Sequence, residues 1–149
     1  MVDIDILKHP GAAAIVAVTD KNEVVLIRQY RHAIGGFIWE IPAGTLDQAE
    51  KHLICAGREL EEETGYRAAR MRKIGEVVPV PGYSDERIYV YLASGLSIGD
   101  ARPEHDEYLS IHLFSFEHAL EMVYNGEISD AKTIFGLLKT KIIFEREPG

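Results

Sequence analysis

Cysteine is nearly absent. The single one, Cys55, stands in 149 residues, so no internal disulfide can form and a reducing, cytoplasmic setting is expected. Long apolar runs are lacking too. None approaches the roughly 18 residues that a spanning helix needs, and the first ten residues carry Asp3, Asp5, Lys8 and His9, unlike a signal peptide. Basic residues are the minority, 16 Lys and Arg against 24 Asp and Glu, for a net charge of -8 and a pI near 5.2. That excludes the basic face of a non-specific nucleic-acid or membrane-surface binder. It does not exclude an anionic small molecule, because bound cations reverse the sign locally. Fixed-period repeats and low-complexity tracts are missing. What remains is 46% hydrophobic and 27% charged residues with a mean hydropathy of -0.07. This is the composition of a globular chain with one real core. The length suits a single domain over 1–149 that includes a short N-terminal arm, about residues 1–10.

The residue pattern predicts strands over 12–18 and 24–30, a turn at Asp20, Lys21 and Asn22, and a short aromatic strand over 37–41 ended by Pro42. Asp47 and Glu50 have capping-box spacing, which predicts a helix from there to Thr64, stopped by Gly65. Leu53, Ala56 and Leu60 form its core stripe. An extended segment over 71–80, a Pro/Gly loop over 80–85, and strands over 88–93 and 108–114 follow, with an acidic loop over 95–106 between the two strands. Ser115 caps a helix to Asn125, and Ser129 caps a last one to about residue 144. Strands first and helices last predict a mixed α/β fold around one sheet.

The predicted helix that ends at Thr64 closes in an unfavourable way. Glu59, Glu61, Glu62 and Glu63 crowd its last turns, where the helix dipole disfavours anions by about 0.3–1 kcal/mol each. The like-charged i, i+4 pair Glu59/Glu63 adds a few tenths more. Glu59, Glu62 and Glu63 share one face at the edge of the core stripe. A solvated acidic face is one reading. A site for a hard cation is the other, since oxygen ligands without thiolates or clustered histidines suit Mg²⁺ or Mn²⁺.

Residues 44–66 read GTLDQAEKHLICAGRELEEETGY, and they resemble the Nudix box, G-x5-E-x7-R-E-U-x-E-E-x-G-U with U bulky and apolar. Gly44, Glu50, Arg58, Glu59, Leu60, Glu62, Glu63 and Gly65 fill their slots, and Tyr66 takes the last U. A chance match in a chain of this length is on the order of 10⁻⁷ from average residue usage. The resemblance implies an α/β/α sandwich with a mixed sheet and divalent-metal-dependent hydrolysis of a nucleoside diphosphate derivative. It implies Glu59, Glu63 and Glu62 as metal ligands together with the backbone carbonyl of Ala43. Glu61 lies outside the pattern and is expected to be only solvated. Arg58 and Glu50 are expected to orient the carboxylates.

The flanks resemble the ADP-ribose pyrophosphatase branch. The similarity lies in Arg28-Gln29-Tyr30-Arg31, in Trp39-Glu40-Ile41-Pro42-Ala43-Gly44, in Pro81-Gly82-Tyr83-Ser84-Asp85-Glu86, and in residues 126–133. It implies cleavage of ADP-ribose to AMP and ribose 5-phosphate. Arg31, with its planar fork, and Arg28 are candidate phosphate contacts. Gly82 allows close backbone approach, and Ser84 and Glu86 are candidate substrate contacts. The branch keeps a catalytic glutamate in the acidic loop, for which Glu107 fits best and Glu104 is the alternative. Trp39 is expected in the core or in a dimer, and the six histidines and Cys55 are expected to be bystanders. Fewer residues precede the first core strand than the branch usually has, so groups supplied there are expected to be missing or replaced. The expected assembly is a homodimer. Two rival readings remain: the same chemistry on another nucleotide sugar or an oxidised nucleotide, and a non-catalytic nucleotide-sugar sensor, against which the complete set of carboxylates argues.

Overall fold

The computed structural model describes residues 3–99 and 109–147. The order along the chain is β1 (Ala12–Ala17), β2 (Glu23–Arg31), a 3₁₀ turn (His32–Ile34), β3 (Gly36–Glu40), β4 (Ala43–Thr45), α1 (His52–Thr64), β5 (Tyr66–Val77), β6 (Ile88–Ile98), β7 (Leu109–Ser115), α2 (Phe116–Tyr124) and α3 (Ala131–Arg146).

Every residue of β1 is buried. The strand lies between β4, antiparallel to it, and β6, parallel to it, and β5 completes this mixed sheet on the far side of β6. Its even-numbered side chains, Ala12, Ala14 and Val16, join a core with Phe116, Ala119 and Met122 of α2 and Leu137 of α3. Its odd-numbered ones, Ala13, Ile15 and Ala17, join a second core with Cys55, Ala56 and Leu60 of α1. A strand covered on both faces needs an unbroken apolar run, and residues 12–17 supply one. Helices therefore flank the sheet on both sides, the α/β/α sandwich expected from the sequence. The helices sit close to the sheet. At Gly136 of α3 a Cβ would stand 2.8 Å from Val16 Cγ2, so any larger residue there would push α3 and its N-terminus away from β1.

The single sheet expected from the sequence is in fact two, because β3-β2-β7 form a separate antiparallel sheet. Several boundaries also differ. Only half of the capping box is present: Glu50 Oε2 accepts the Asp47 N–H at 3.0 Å, while the Glu50 N–H donates to the Asp47 main-chain carbonyl at 3.0 Å and not to its carboxylate, and the pair closes a turn. Ala49 sits at φ 63°, a left-handed conformation that no helix can continue through, so α1 begins only at His52. Leu53 lies inside α1 but is 46% exposed, and it is Cys55 that joins Ala56 and Leu60 against β1. Gly65 stops α1 as expected, at φ 73°. Ser115 caps α2 as expected, accepting from His118 N–H. Asp130, one residue beyond Ser129, caps α3, accepting from Thr133 N–H. Strand β5 starts at Tyr66, well before residue 71. Only Ile74 of its twelve residues is buried, so Arg67, Arg70, Arg72 and Lys73 mask it in the sequence while protecting an edge strand from pairing further. Its partner β6 runs on to Ile98, into the stretch expected to be loop.

Candidate active site

Strand β4 and the C-terminal half of α1 face each other across a cleft of about 470 Å³, which also receives Ala12, Ile88, Glu86 and the first turn of α3. Strand β4 pairs with β1 at Ala14↔Ala43 and Ala13↔Gly44, and α1 packs on the odd face of β1. The same buried strand thus sets the spacing of both walls. Glu63 is buried, and its Oε2 accepts the Ala43 N–H at 2.9 Å. One turn earlier, Glu59 lies against Gly44, where a Cβ would come within 2.0 Å of the Glu59 carboxyl carbon.

Arg58 ties the remaining carboxylates together. Its Nε and Nη2 hold Glu50 Oε1 and Oε2 at 3.0 and 2.9 Å, and its Nη1 donates to Glu59 Oε1 at 2.6 Å and Glu62 Oε2 at 3.0 Å. Nη2 also reaches the Thr45 carbonyl at 3.3 Å. Hydrogen bonding from Arg58, opposed by burial, holds the Glu50 carboxyl at about 2, and the same contacts raise the Arg58 guanidinium above its ordinary range. Behind the cleft, burial first and then the Glu50 and Glu59 charges push the Cys55 thiol to about 12. An inert, packed cysteine follows.

A second charged group stands at the α3 end. Glu40 closes β3 and is only 1% exposed. Its two oxygens take Arg31 Nε and Nη2 at 2.7 Å each, and Oε2 also takes Lys132 Nζ. Lys132 reaches Asp130 Oδ1 at 3.0 Å as well. Burial alone would favour the neutral acid, but the Arg31 and Lys132 hydrogen bonds and charges outweigh it and hold Glu40 below the usual carboxylate range. The Glu40 hydrogen bond in turn raises the Arg31 pKa. Thr133 Oγ1 accepts the Ile41 N–H at 2.9 Å and so fastens the first turn of α3 to the end of β3.

The structure brings together Ala43, Arg58, Glu59, Glu62, Glu63, Arg31 and Glu86 of the residues named from sequence. It separates three others. Arg28 points to the opposite face of β2 from Arg31, as an odd separation on a strand requires, and its guanidinium lies over the Phe37 and Trp39 rings at 5.4 and 5.7 Å. It does not line the cleft. Gly82 lies outside the cleft lining with open space around it. Ser84 is buried, and its Oγ accepts the Glu86 N–H at 3.2 Å, so it shapes the turn that presents Glu86 and does not face the cleft. Glu61, expected to be only solvated, pairs with Arg67. Trp39 packs partly buried against the larger core. Glu104, Asp106 and Glu107 lie outside the described residues. Spacing along the chain does not mark Glu40 or Lys132 as site residues, although a carboxylate inside an aromatic strand is itself a sign of a buried ion pair.

Among the described residues the cleft lining carries five carboxylates (Asp47, Glu59, Glu62, Glu63 and Glu86) against three cations (Arg31, Arg58 and Lys132), an excess of two negative charges. Among the described residues no three His, Cys, Asp or Glu side chains stand in a metal-holding arrangement as they lie. Glu59 and Glu62 rest on Arg58, and Glu63 on the Ala43 N–H. The donor chemistry nevertheless fits a hard divalent cation: carboxylate oxygens around a cleft of net negative charge, with Gly44 leaving room for them.

Box, fold and cleft define a class. The NUDIX domain family pattern matches residues 8–135, and the chain belongs to the Nudix hydrolases, enzymes that generally require a divalent metal. It is 41% identical over 135 residues to the ADP-ribose pyrophosphatase of Bacillus subtilis (strain 168), covering 89% of this chain and 73% of that one. It is 38% identical over 135 residues to the methanol dehydrogenase activator of Bacillus methanolicus, with the same coverage. A crystal structure of an ADP compounds hydrolase matches with a TM-score of 0.83 over 91% of this chain and 73% of that one, at 20% identity, a likeness of fold.

Proposed function

We infer that this protein hydrolyses the diphosphate bond of ADP-ribose, giving AMP and ribose 5-phosphate, with Mg²⁺ as the metal and Mn²⁺ as a substitute. The observation that carries the reading is the meeting of the Glu59, Glu62 and Glu63 cluster with Arg31 and Glu86 in one cleft. The 41% identity to an ADP-ribose pyrophosphatase supports the choice of substrate.

The roles follow from charge. A diphosphate is repelled by the carboxylates, which outnumber the cations among the described residues of the cleft, unless further cations intervene. Glu59, Glu62, Glu63 and the Ala43 carbonyl would hold the metal, which when bound neutralises the diphosphate and lowers the pKa of water. Arg58 orients Glu59 and Glu62. Arg31 offers its guanidinium to the diphosphate, and Glu86 accepts from sugar hydroxyls. Glu107, or in its place Glu104, takes the proton from the attacking water. The product phosphate group retains the oxygen of that water, and the other phosphate leaves with the bridging oxygen.

A second reading is favoured by one observation. No aromatic side chain lines the cleft among the described residues, so nothing there stacks a particular base. The same chemistry on another nucleotide sugar or an oxidised nucleotide is therefore the alternative. A panel of ADP-ribose, other nucleotide sugars and oxidised nucleotides, with identification of the phosphate products, decides between them. AMP and ribose 5-phosphate as the fastest products support the first reading. Faster turnover of a different compound selects the second, and no turnover of any with Mg²⁺ or Mn²⁺ overturns both.

The assembly is expected to be a homodimer in the cytoplasm, acting on a small molecule and not on nucleic acid or membrane. Phe37, beside Gly35 and Gly36, and Ile34 are exposed apolar residues at the β2–β3 turn. Two-fold dimers are the commonest soluble oligomers. Among the described residues no helix is long and apolar enough to cross a membrane. Sedimentation at micromolar concentration should give a mass near twice the 16.7 kDa of the chain; a monomer mass contradicts the dimer.

A further inference from the structure

The geometry points to Glu40 as a positioning residue that holds Arg31 for the anionic substrate, acting through a chain of charges anchored on the first turn of α3. This inference rests on the reading of the cleft as a nucleoside diphosphate site.

Burying a carboxylate is unfavourable unless it is paired and hydrogen-bonded. Glu40, at 1% exposure, therefore needs a reason to be where it is, and its partners supply one. The two Arg31 nitrogens that it takes, Nε and Nη2, form one edge of the guanidinium fork. A bidentate pair of this kind fixes both position and plane. Nη1 makes no hydrogen bond among the described residues, while the Arg31 side chain is 43% exposed and lines the cleft. The arginine is thus clamped along one edge with a donor left for a ligand. Among the described residues of the cleft carboxylates outnumber cations, and an unclamped arginine would be drawn to them: Glu63 already acts on Arg31 through its charge.

Glu40 is itself prevented from turning. Lys132 shares its Oε2 with Arg31 Nη2, and Asp130 holds Lys132 at 3.0 Å. Asp130 is in turn fixed as the cap of α3, accepting from Thr133 N–H at 3.0 Å and Thr133 Oγ1 at 2.6 Å. Thr133 closes the loop by accepting from Ile41 N–H, next in sequence to Glu40. The path Asp130–Lys132–Glu40–Arg31 joins residues 92 apart along the chain at its central link. It needs α3 seated tightly on β1, which Gly136 permits. A fixed fork spares the substrate the entropy of ordering a long side chain, so the effect belongs in binding more than in the chemical step.

The test compares Glu40→Gln, which keeps the shape and removes the charge, in the wild-type protein and in an Arg31→Gln background, where Lys132 still partners Glu40 and maintains the fold. The readouts are the Kd for ADP with Mg²⁺ by calorimetry, and KM and kcat on ADP-ribose. Glu40→Gln should raise Kd and KM tenfold or more in the wild type, with kcat within threefold. In the Arg31→Gln background it should raise them less than twofold, because no fork remains to be held. Lys132→Gln should act in the same direction, by about threefold, and likewise vanish in that background. A full, additive effect of Glu40→Gln on top of Arg31→Gln overturns the inference, as does an unchanged ADP affinity in Arg31→Gln alone. Failure of the wild type to cleave ADP-ribose overturns the substrate reading only, because ADP calorimetry scores Glu40 without turnover.

Discussion

Gly44 and Glu59 occupy each other's space: a Cβ on Gly44 would lie 2.0 Å from the Glu59 carboxyl carbon. The box glycine is therefore a matter of room for a carboxylate more than of backbone freedom. A Gly44→Ala change should displace the Glu59 carboxylate while leaving the sheet intact, since the clash is with the far end of a side chain. Misplacement of about 1 Å at a reacting centre costs on the order of 10²-fold. Turnover should fall at least tenfold with the circular dichroism spectrum unchanged. Turnover within twofold of wild type would show that Glu59 need not sit where it does.

Glu63 provides a second test of the proposed metal site. Glu63→Gln removes the charge but keeps an oxygen that can accept the Ala43 N–H, now made at 2.9 Å. Turnover should drop more than tenfold at saturating Mg²⁺. The melting temperature should stay within roughly 4 °C, equivalent to about 1 kcal/mol for a chain of this size. Near-normal turnover would remove Glu63 from the ligand set.

Glu50 makes the stability acid-sensitive. Its carboxyl, held at about 2 by Arg58 against an ordinary 4.5, has a lower pKa folded than unfolded. Its contribution is therefore complete above about pH 4.5 and is lost as the pH falls from there towards 2. Glu50→Gln should lower stability at pH 7 by about 2 kcal/mol, as loss of a charged hydrogen bond does. It should also flatten the decline between pH 5 and 2. Urea midpoints across that range would show it, and an acid limb as steep as the wild type's would contradict the Arg58 pairing.

Glu107 and Glu104, the two candidates for the general base, can be told apart by rate. Glu107→Gln should lower kcat by about 10²-fold or more with little change in KM, and Glu104→Gln by less. If the order of severity reverses, Glu104 is the base. If neither change matters, neither residue is the base and the nucleophile is activated elsewhere.

Much of this was legible from local pattern, because local pattern is where periodicity and covalent spacing operate. An apolar run over residues 12–17 determined a strand covered on both faces. The four-residue step from Glu59 to Glu63, together with Gly44 and Gly65 at their distances, determined the family and the acidic wall of the site. Side-chain parity on β2 already separated Arg28 from Arg31, but not which face would meet the cleft. That choice, the start of α1 after the left-handed Ala49, and the burial of Cys55 in place of Leu53 were decided by packing against the sheet. The pairing of Glu40 with Arg31 and Lys132 was decided there as well. A buried carboxylate takes whichever cations the register and the seating of a distant helix bring to it, and with 92 residues between Glu40 and Lys132, no spacing along the chain can specify that meeting.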